Sequence, residues 1–129
     1  MTASVTMVCF TAAGGSYCLP VDATRAVRRA AGLIALPGAG PDVVGVLPGD
    51  PPLTVLSSLG VGGDHVLVVE SGPTVFGLQV DAVTGLRRVT GAEIRPAPPG
   101  QDRPLISGTV DSTGELLFVT DAIALAARL

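Results

Sequence analysis

Apolar residues along this chain fall in short runs, each cut off by Gly, Pro or Asp, and that rhythm predicts strands. The runs are rich in Val, Leu, Phe and Thr, side chains that suit a pleated, half-buried surface. They lie at Thr6–Thr11, Tyr17–Val21, Val43–Leu47, Pro52–Val55, His65–Glu70, Val75–Val80, Gly85–Val89, Leu105–Val110 and Leu116–Val119. Gly14-Gly15, Ser71-Gly72-Pro73 and Thr113-Gly114 have the composition of hairpin turns. Helical signals are few. Ala23–Arg29 reads as either one helical turn capped by Asp22 or a strand following a turn there, and Ser57–Leu59 is too short for more than one turn. Ala122–Leu129 follows Asp121, a good N-cap, and reads as a carboxyl-terminal helix with Ile123, Leu125, Ala126 and Leu129 toward the body. The Pro-rich stretch Arg95–Pro104 reads as a rigid extended connection between strands.

The strand pattern occurs twice. Residues 17–37 (YCLPVDATRAVRRAAGLIALP) and 76–96 (FGLQVDAVTGLRRVTGAEIRP) align without a gap. Leu19/Leu78, Val21/Val80, Asp22/Asp81, Ala23/Ala82, Arg28/Arg87, Arg29/Arg88, Gly32/Gly91 and Pro37/Pro96 are identical, and Tyr17/Phe76 and Val27/Leu86 match in kind. The same alignment lays Thr6–Phe10 on His65–Val69, and slightly larger offsets lay Gly45 on Gly108 and Leu53 and Val55 on Leu117 and Val119. The expectation is one unit over residues 1–129, with halves at about 5–63 and 64–129 and exchange of strands between them left open. Such a protein works through the surfaces and the groove between its halves.

Size permits this. A chain of 129 residues buries roughly two thirds of its unfolded surface. Aromatics make up only 3% of it, so Val, Leu, Ile and Ala must build the core. No stretch approaches the roughly 20 apolar residues of a membrane span, and the first cationic residue is Arg25, so a signal-peptide charge cluster is lacking. A soluble cytoplasmic protein is expected. The mild net charge of −3 argues against nucleic acid as a partner. Cys9 and Cys18 are not in metal-site spacing, and no metal is expected; they fall on the two arms of the first hairpin. A cross-strand disulfide fits that placement, although two packed thiols are the expectation in a reducing cytosol.

No catalytic constellation assembles from the residues. His65 is the one histidine and starts a strand, and no nucleophile sits in a recognisable motif. Without Lys there is neither a Walker-type phosphate loop nor a Schiff base. Asp22 and Asp81 are symmetric in the repeat, as the dyad of an aspartic protease is, but each is followed by Ala and not by the residues of the needed tight turn. Ending a strand and satisfying the next turn explains them better. The paired arginines Arg28-Arg29 and Arg87-Arg88 read as solvated or salt-bridged structure.

Taken in order, the segments resemble the CheW-like domain, the bacterial chemotaxis coupling protein. Met7–Val27 (MVCFTAAGGSYCLPVDATRAV) is similar to that family's strand, hairpin and aromatic-x-Leu-Pro-Val pattern. Ala35–Val46 (ALPGAGPDVVGV) resembles its Leu-Pro-x-x-Pro-x-x-Val-x-Gly-Val segment. Val75–Pro98 and Ile106–Leu125 resemble its Gly-Leu-x-Val-Asp-x-Val strand, Ile-x-Pro-x-Pro connection, Ile-x-Gly turn and terminal Leu-Leu-x-Leu-x-Asp strand. The resemblance implies an all-β fold of two SH3-like five-stranded β-barrels packed side by side, with short helical turns and a C-terminal helix. It implies no catalytic activity and no cofactor. It also implies a role bridging the cytoplasmic tips of chemoreceptors to the regulatory domain of a histidine autokinase, with oligomeric state open. The receptor tip would dock in an apolar groove between the barrels, and a barrel end would meet the kinase. Matched position by position, the groove candidates are Ala26, Val27, Val44 and Gly45, with Arg25 and Arg28 at the rim.

Two positions depart from the family pattern. Ala26 stands where the family usually has Glu, and Pro48 stands where it has Arg, in a stretch about two residues shorter that also lacks the family's Asp. Those two charges pair across the groove edge in the family, and losing both avoids leaving one unpaired beside apolar surface. Two other readings stand beside this one. A divergent scaffold of the same fold would serve other signalling or assembly partners. A small-molecule-binding barrel or a hydrolase would use Asp22 and Asp81.

Overall fold

The structure is a computed structural model and describes residues 4–36, 39–60, 62–96, 105–112 and 114–129. The connection expected over Arg95–Pro104 and the turn expected at Thr113-Gly114 lie partly outside those residues. Twelve strands are described in the order β1 (Ser4–Ala12), β2 (Gly15–Pro20), β3 (Thr24–Arg29), β4 (Ile34–Ala35), β5 (Val43–Leu47), β6 (Leu53–Leu56), β7 (His65–Ser71), β8 (Thr74–Val80), β9 (Ala82–Thr90), β10 (Ile94–Arg95), β11 (Ile106–Ser112) and β12 (Glu115–Thr120). A short helix, α1 (Ala122–Ala126), follows them. Two sheets form, β10-β11-β12-β2-β1-β9 and β3-β7-β8-β6-β5-β4. Each has six strands, one more than the five expected, because a two-residue edge strand, β10 or β4, adds to each.

The continuous apolar runs Met7–Phe10 and Val66–Val69 follow from burial on both faces of their strands. Successive side chains point to opposite sides of a strand. Met7 and Cys9 join Cys18, Val89, Val110, Leu117 and Val119 in a core enclosed by the first sheet. Val66 and Val68 join Leu47, Leu53 and Val55 in the matching core of the second sheet. The alternate residues Val8, Phe10, Leu67 and Val69, with Leu19, Phe76, Leu78 and Val80, form a third core between the sheets. Each sheet thus curls over its own apolar cluster as a small barrel does, and the barrels share a seam.

The hairpins sit crosswise to the chain order. β1 and β2 pair with β9 and β12, whereas β7 and β8 pair with β3 and β6. The first hairpin turns at Ala13-Gly14, not at the expected Gly14-Gly15, with φ of 49° and 82° at those two residues. Two positive φ values make a type I′ turn, whose twist matches that of the strands. Gly15 opens β2 instead, opposite Ala12. Gly72-Pro73 turns the second hairpin with a positive φ only at Gly72, the type II′ pattern that Pro in second place permits.

Repeat-related positions also carry the same irregularities. One residue bulges from β3 (Arg25, between Thr24 and Ala26) and from β9 (Thr84, between Val83 and Gly85). One bulges from β5 (Val44) and from β11 (Ser107). Of the two readings of Ala23–Arg29 the structure has the strand following a turn, with a 3-10 turn at Val21–Ala23 and then β3. Asp22 lies within that turn and does not cap it; the N-cap is Pro20. In α1, Asp121 caps as expected, its side chain accepting from the Ile123 and Ala124 amides. Leu125 is wholly buried, but Ile123 and Leu129 are 75% and 48% exposed, so two of the residues expected against the body face solvent. One helical turn is too short to bury a full stripe.

Candidate functional site

The seam between the barrels opens at the surface between two edge strands, β3 and β9, as a groove of about 260 Å³. Its lining comes in repeat-related pairs: Val8 with Leu67, Thr24 with Val83, and Val27 with Leu86. Val21, Arg25 and Ala26 complete it. The pairing continues in the registers, where Val27 lies opposite Leu67 on β7 and Leu86 lies opposite Val8 on β1. Val8 and Leu67 belong to the shared core, so the groove is the solvent-facing continuation of that core and sits on the axis of the repeat.

Val27 is 46% and Leu86 68% exposed. Isolated exposed apolar residues are ordinary; two that repeat one position, meet in one groove and continue a core form a built surface. Arg25, the bulged residue of β3, closes one side. Its guanidinium lies 3.4 Å from the Glu70 carboxylate, both side chains being substantially exposed. A pair of that kind contributes about 0–1 kcal/mol, so it orients the rim more than it stabilises the fold.

Of the residues expected at the groove, Ala26, Val27 and Arg25 lie in it. Arg28 is on the same strand and exposed, but it does not line the groove. Val44 and Gly45 are elsewhere. Val44 packs on the inner core of its own barrel. Gly45 is buried opposite Ala35, where an added Cβ would come within 2.3 Å of the Ile34 carbonyl oxygen. Gly108, its repeat partner, is held the same way, with the Arg95 carbonyl oxygen 2.8 Å from a Cβ position. These glycines let two-residue edge strands close onto β5 and β11. Leu86 is the groove residue that sequence reasoning missed, and its signal was present in the alignment with Val27.

The remaining candidates do not converge. Asp22 and Asp81 are both exposed. Asp81 is held by its backbone, its amide donating to the Thr11 carbonyl at 2.8 Å and its carbonyl accepting from His65 Nδ1 at 2.9 Å. Among the described residues, no three His, Cys, Asp or Glu side chains gather where they could hold a metal ion. No helix among them is long and apolar enough to cross a membrane.

A family model, the CheW-like domain, matches residues 61–129. Among solved structures, the chain is similar to the scaffolding protein TtCheW from Thermoanaerobacter tengcongensis. The TM-score is 0.82 at 19% identity, covering 92% of this chain and 85% of that one. No curated protein matches.

Proposed function

The chain belongs to the CheW-like domain family, a family of non-catalytic chemotaxis scaffolds, and from that premise we propose that it couples chemoreceptor tips to a histidine autokinase in the cytoplasm. The observation that carries the reading is the groove on the repeat axis, where Val27 and Leu86 extend the shared core into solvent. In this reading the receptor tip covers Ala26, Val27 and Leu86, with Arg25 and Arg28 at the rim, and a barrel end meets the kinase regulatory domain. Protein interfaces draw most of their affinity from a small desolvated centre. An acidic side chain at Val27 or Leu86 would be buried without a partner when the groove is covered, while costing little in the free protein. Titration of Val27→Asp and Leu86→Asp against a receptor tip fragment and the kinase regulatory domain of the source organism tests this. Folded variants that bind the receptor fragment as the parent does would refute the groove assignment.

A second reading rests on Ala26 and Pro48, which leave the chain without the charged pair that the family resemblance implies at the groove edge. A scaffold of the same fold adapted to other partners would tolerate that loss. A pull-down from source lysate, read by mass spectrometry, separates the two. Recovery of an autokinase or a receptor supports coupling, and recovery of neither, from cells expressing both, supports the adapted scaffold.

A further inference from the structure

We propose that Cys9 and Cys18 are a dithiol that a small organic disulfide oxidises to a cross-strand disulfide inside the barrel formed by the first sheet, with Cys9 as the point of entry. The two residues lie directly opposite each other on β1 and β2, so their side chains leave the same face of the sheet, and both belong to the core that the sheet encloses. The turn at Ala13-Gly14 sets the hydrogen-bonding pattern beyond it. A two-residue type I′ loop closes on a hydrogen-bonded pair, here Ala12 and Gly15. Pairs then alternate, which makes Thr11/Ser16 non-hydrogen-bonded, Phe10/Tyr17 hydrogen-bonded and Cys9/Cys18 non-hydrogen-bonded. In a non-hydrogen-bonded pair the Cα atoms stand about 4.5 Å apart, inside the span of about 4.4–6.8 Å that a disulfide bridges. A pair of this class therefore has a Cα spacing that a disulfide can bridge.

Both thiols are buried, Cys18 fully and Cys9 at 9% exposure, and of the two only Cys9 lines a recess, of about 340 Å³, beside Ser16, Gly85, Arg87 and Glu115. Gly85 follows the β9 bulge opposite Cys9, and a Cβ placed there would meet nothing within 4 Å, so the bulge leaves open space beside Cys9. Burial pushes both thiols up, Cys18 to about 12, with the neighbouring Cys9 adding to the effect there. At Cys9 burial is also the main cause, opposed by Arg87, whose positive charge favours the thiolate. Arg87 acts the same way on Cys18, and Glu115 opposes it at Cys9, so the recess and not the charge selects Cys9 as the attacking group.

The exchange balances in two steps. The Cys9 thiolate attacks one sulfur of the small disulfide, breaking its S–S bond, forming a mixed disulfide and releasing one thiolate, which takes up a proton. Cys18 then loses its proton and attacks the Cys9 sulfur, expelling the second small thiolate, which is likewise protonated. The protein is oxidised by two electrons and the small disulfide reduced to two thiols. Val8 and Leu19, the neighbours of these cysteines on the opposite face, pack in the core between the barrels. The bond staples the hairpin that joins them, and the oxidised protein should melt at a higher temperature.

The test treats the native full chain with cystamine, blocks remaining thiols with iodoacetamide, and reads intact mass and a non-reducing peptide map. The expected product has lost the mass of two hydrogens, carries no alkyl group and yields a Cys9–Cys18 linked peptide. Cys18→Ala should stop with one cysteamine on Cys9, and Cys9→Ala should remain unmodified. A parent protein that stays fully alkylatable, that halts at the mixed disulfide, or that couples only after denaturation would overturn the proposal. Modification of Cys18 in the Cys9→Ala variant would overturn the route of entry.

Discussion

Replacing Gly45 by Ala tests whether this position belongs to the groove or to the barrel wall. The new Cβ would sit 2.3 Å from the Ile34 carbonyl oxygen and 3.3 Å from the Ala35 Cα. Carbon–oxygen contacts settle at about 3.3–3.6 Å, so β4 must retreat by roughly 1 Å. It can stay paired under strain, at about 1–3 kcal/mol for overpacking. Alternatively it can let go of its pairs with Val46 and Gly45, losing about two backbone hydrogen bonds at about 1 kcal/mol each. Either route costs about 2 kcal/mol. The stiffer unfolded chain returns about 0.4–1 kcal/mol, leaving a net loss of about 1–2 kcal/mol, or roughly 4–8 °C in Tm at this size. Gly91→Ala is the control, because a Cβ there meets nothing within 4 Å; it should stabilise by about 0.4–1 kcal/mol. Urea unfolding of both variants with an unchanged m-value is the assay. A Gly45→Ala protein as stable as the parent to within about 0.5 kcal/mol, or one that keeps its stability and loses partner binding, would refute the reasoning.

Other consequences are as direct. Leu86→Ala removes a side chain that is 68% exposed in the free protein. Its burial under a partner is worth roughly 1–2 kcal/mol, so the Kd should rise by about 5–30-fold with Tm almost unchanged, read by calorimetric titration and a thermal melt. Asp121→Ala strips the two amide bonds that start α1 and should cost about 1 kcal/mol in a denaturant melt. The Glu93 carboxylate accepts from the Thr90 amide and hydroxyl, and these bonds, the amide first, hold it below the ordinary glutamate range. The lowered folded value means its contribution is present above the unfolded pKa and lost as pH falls through the folded one. A carboxyl NMR titration should give a depressed midpoint, and Thr90→Val should raise it.

Where sequence reasoning succeeded and failed follows from how much apolar surface each segment buries. The hairpins β1-β2 and β7-β8 were legible because both faces of their strands are buried, one inside a barrel and one at the seam, which leaves unbroken apolar runs between turn residues. The strand β3 is exposed along nearly its whole length, so Thr24–Arg29 carries no alternation and stayed ambiguous between turn and strand. β4 and β10 are two residues long, too short to show any period, and were missed. Val44 and Gly45 lie outside the groove for a reason the repeat itself contained. Gly45 and Gly108 recur because each barrel must close an edge strand onto a bulged one, and a duplicated closure is architecture. Val27 and Leu86 recur differently. They are large, apolar and exposed at matching places, where closure asks nothing of them and water would favour a polar side chain. The repeat axis brings those two exposed positions into a single groove. A single half would carry one such residue; the repeated chain carries two that line one groove. Removing either should therefore weaken binding, and because the two line one groove the double variant should depart from the sum of the single effects.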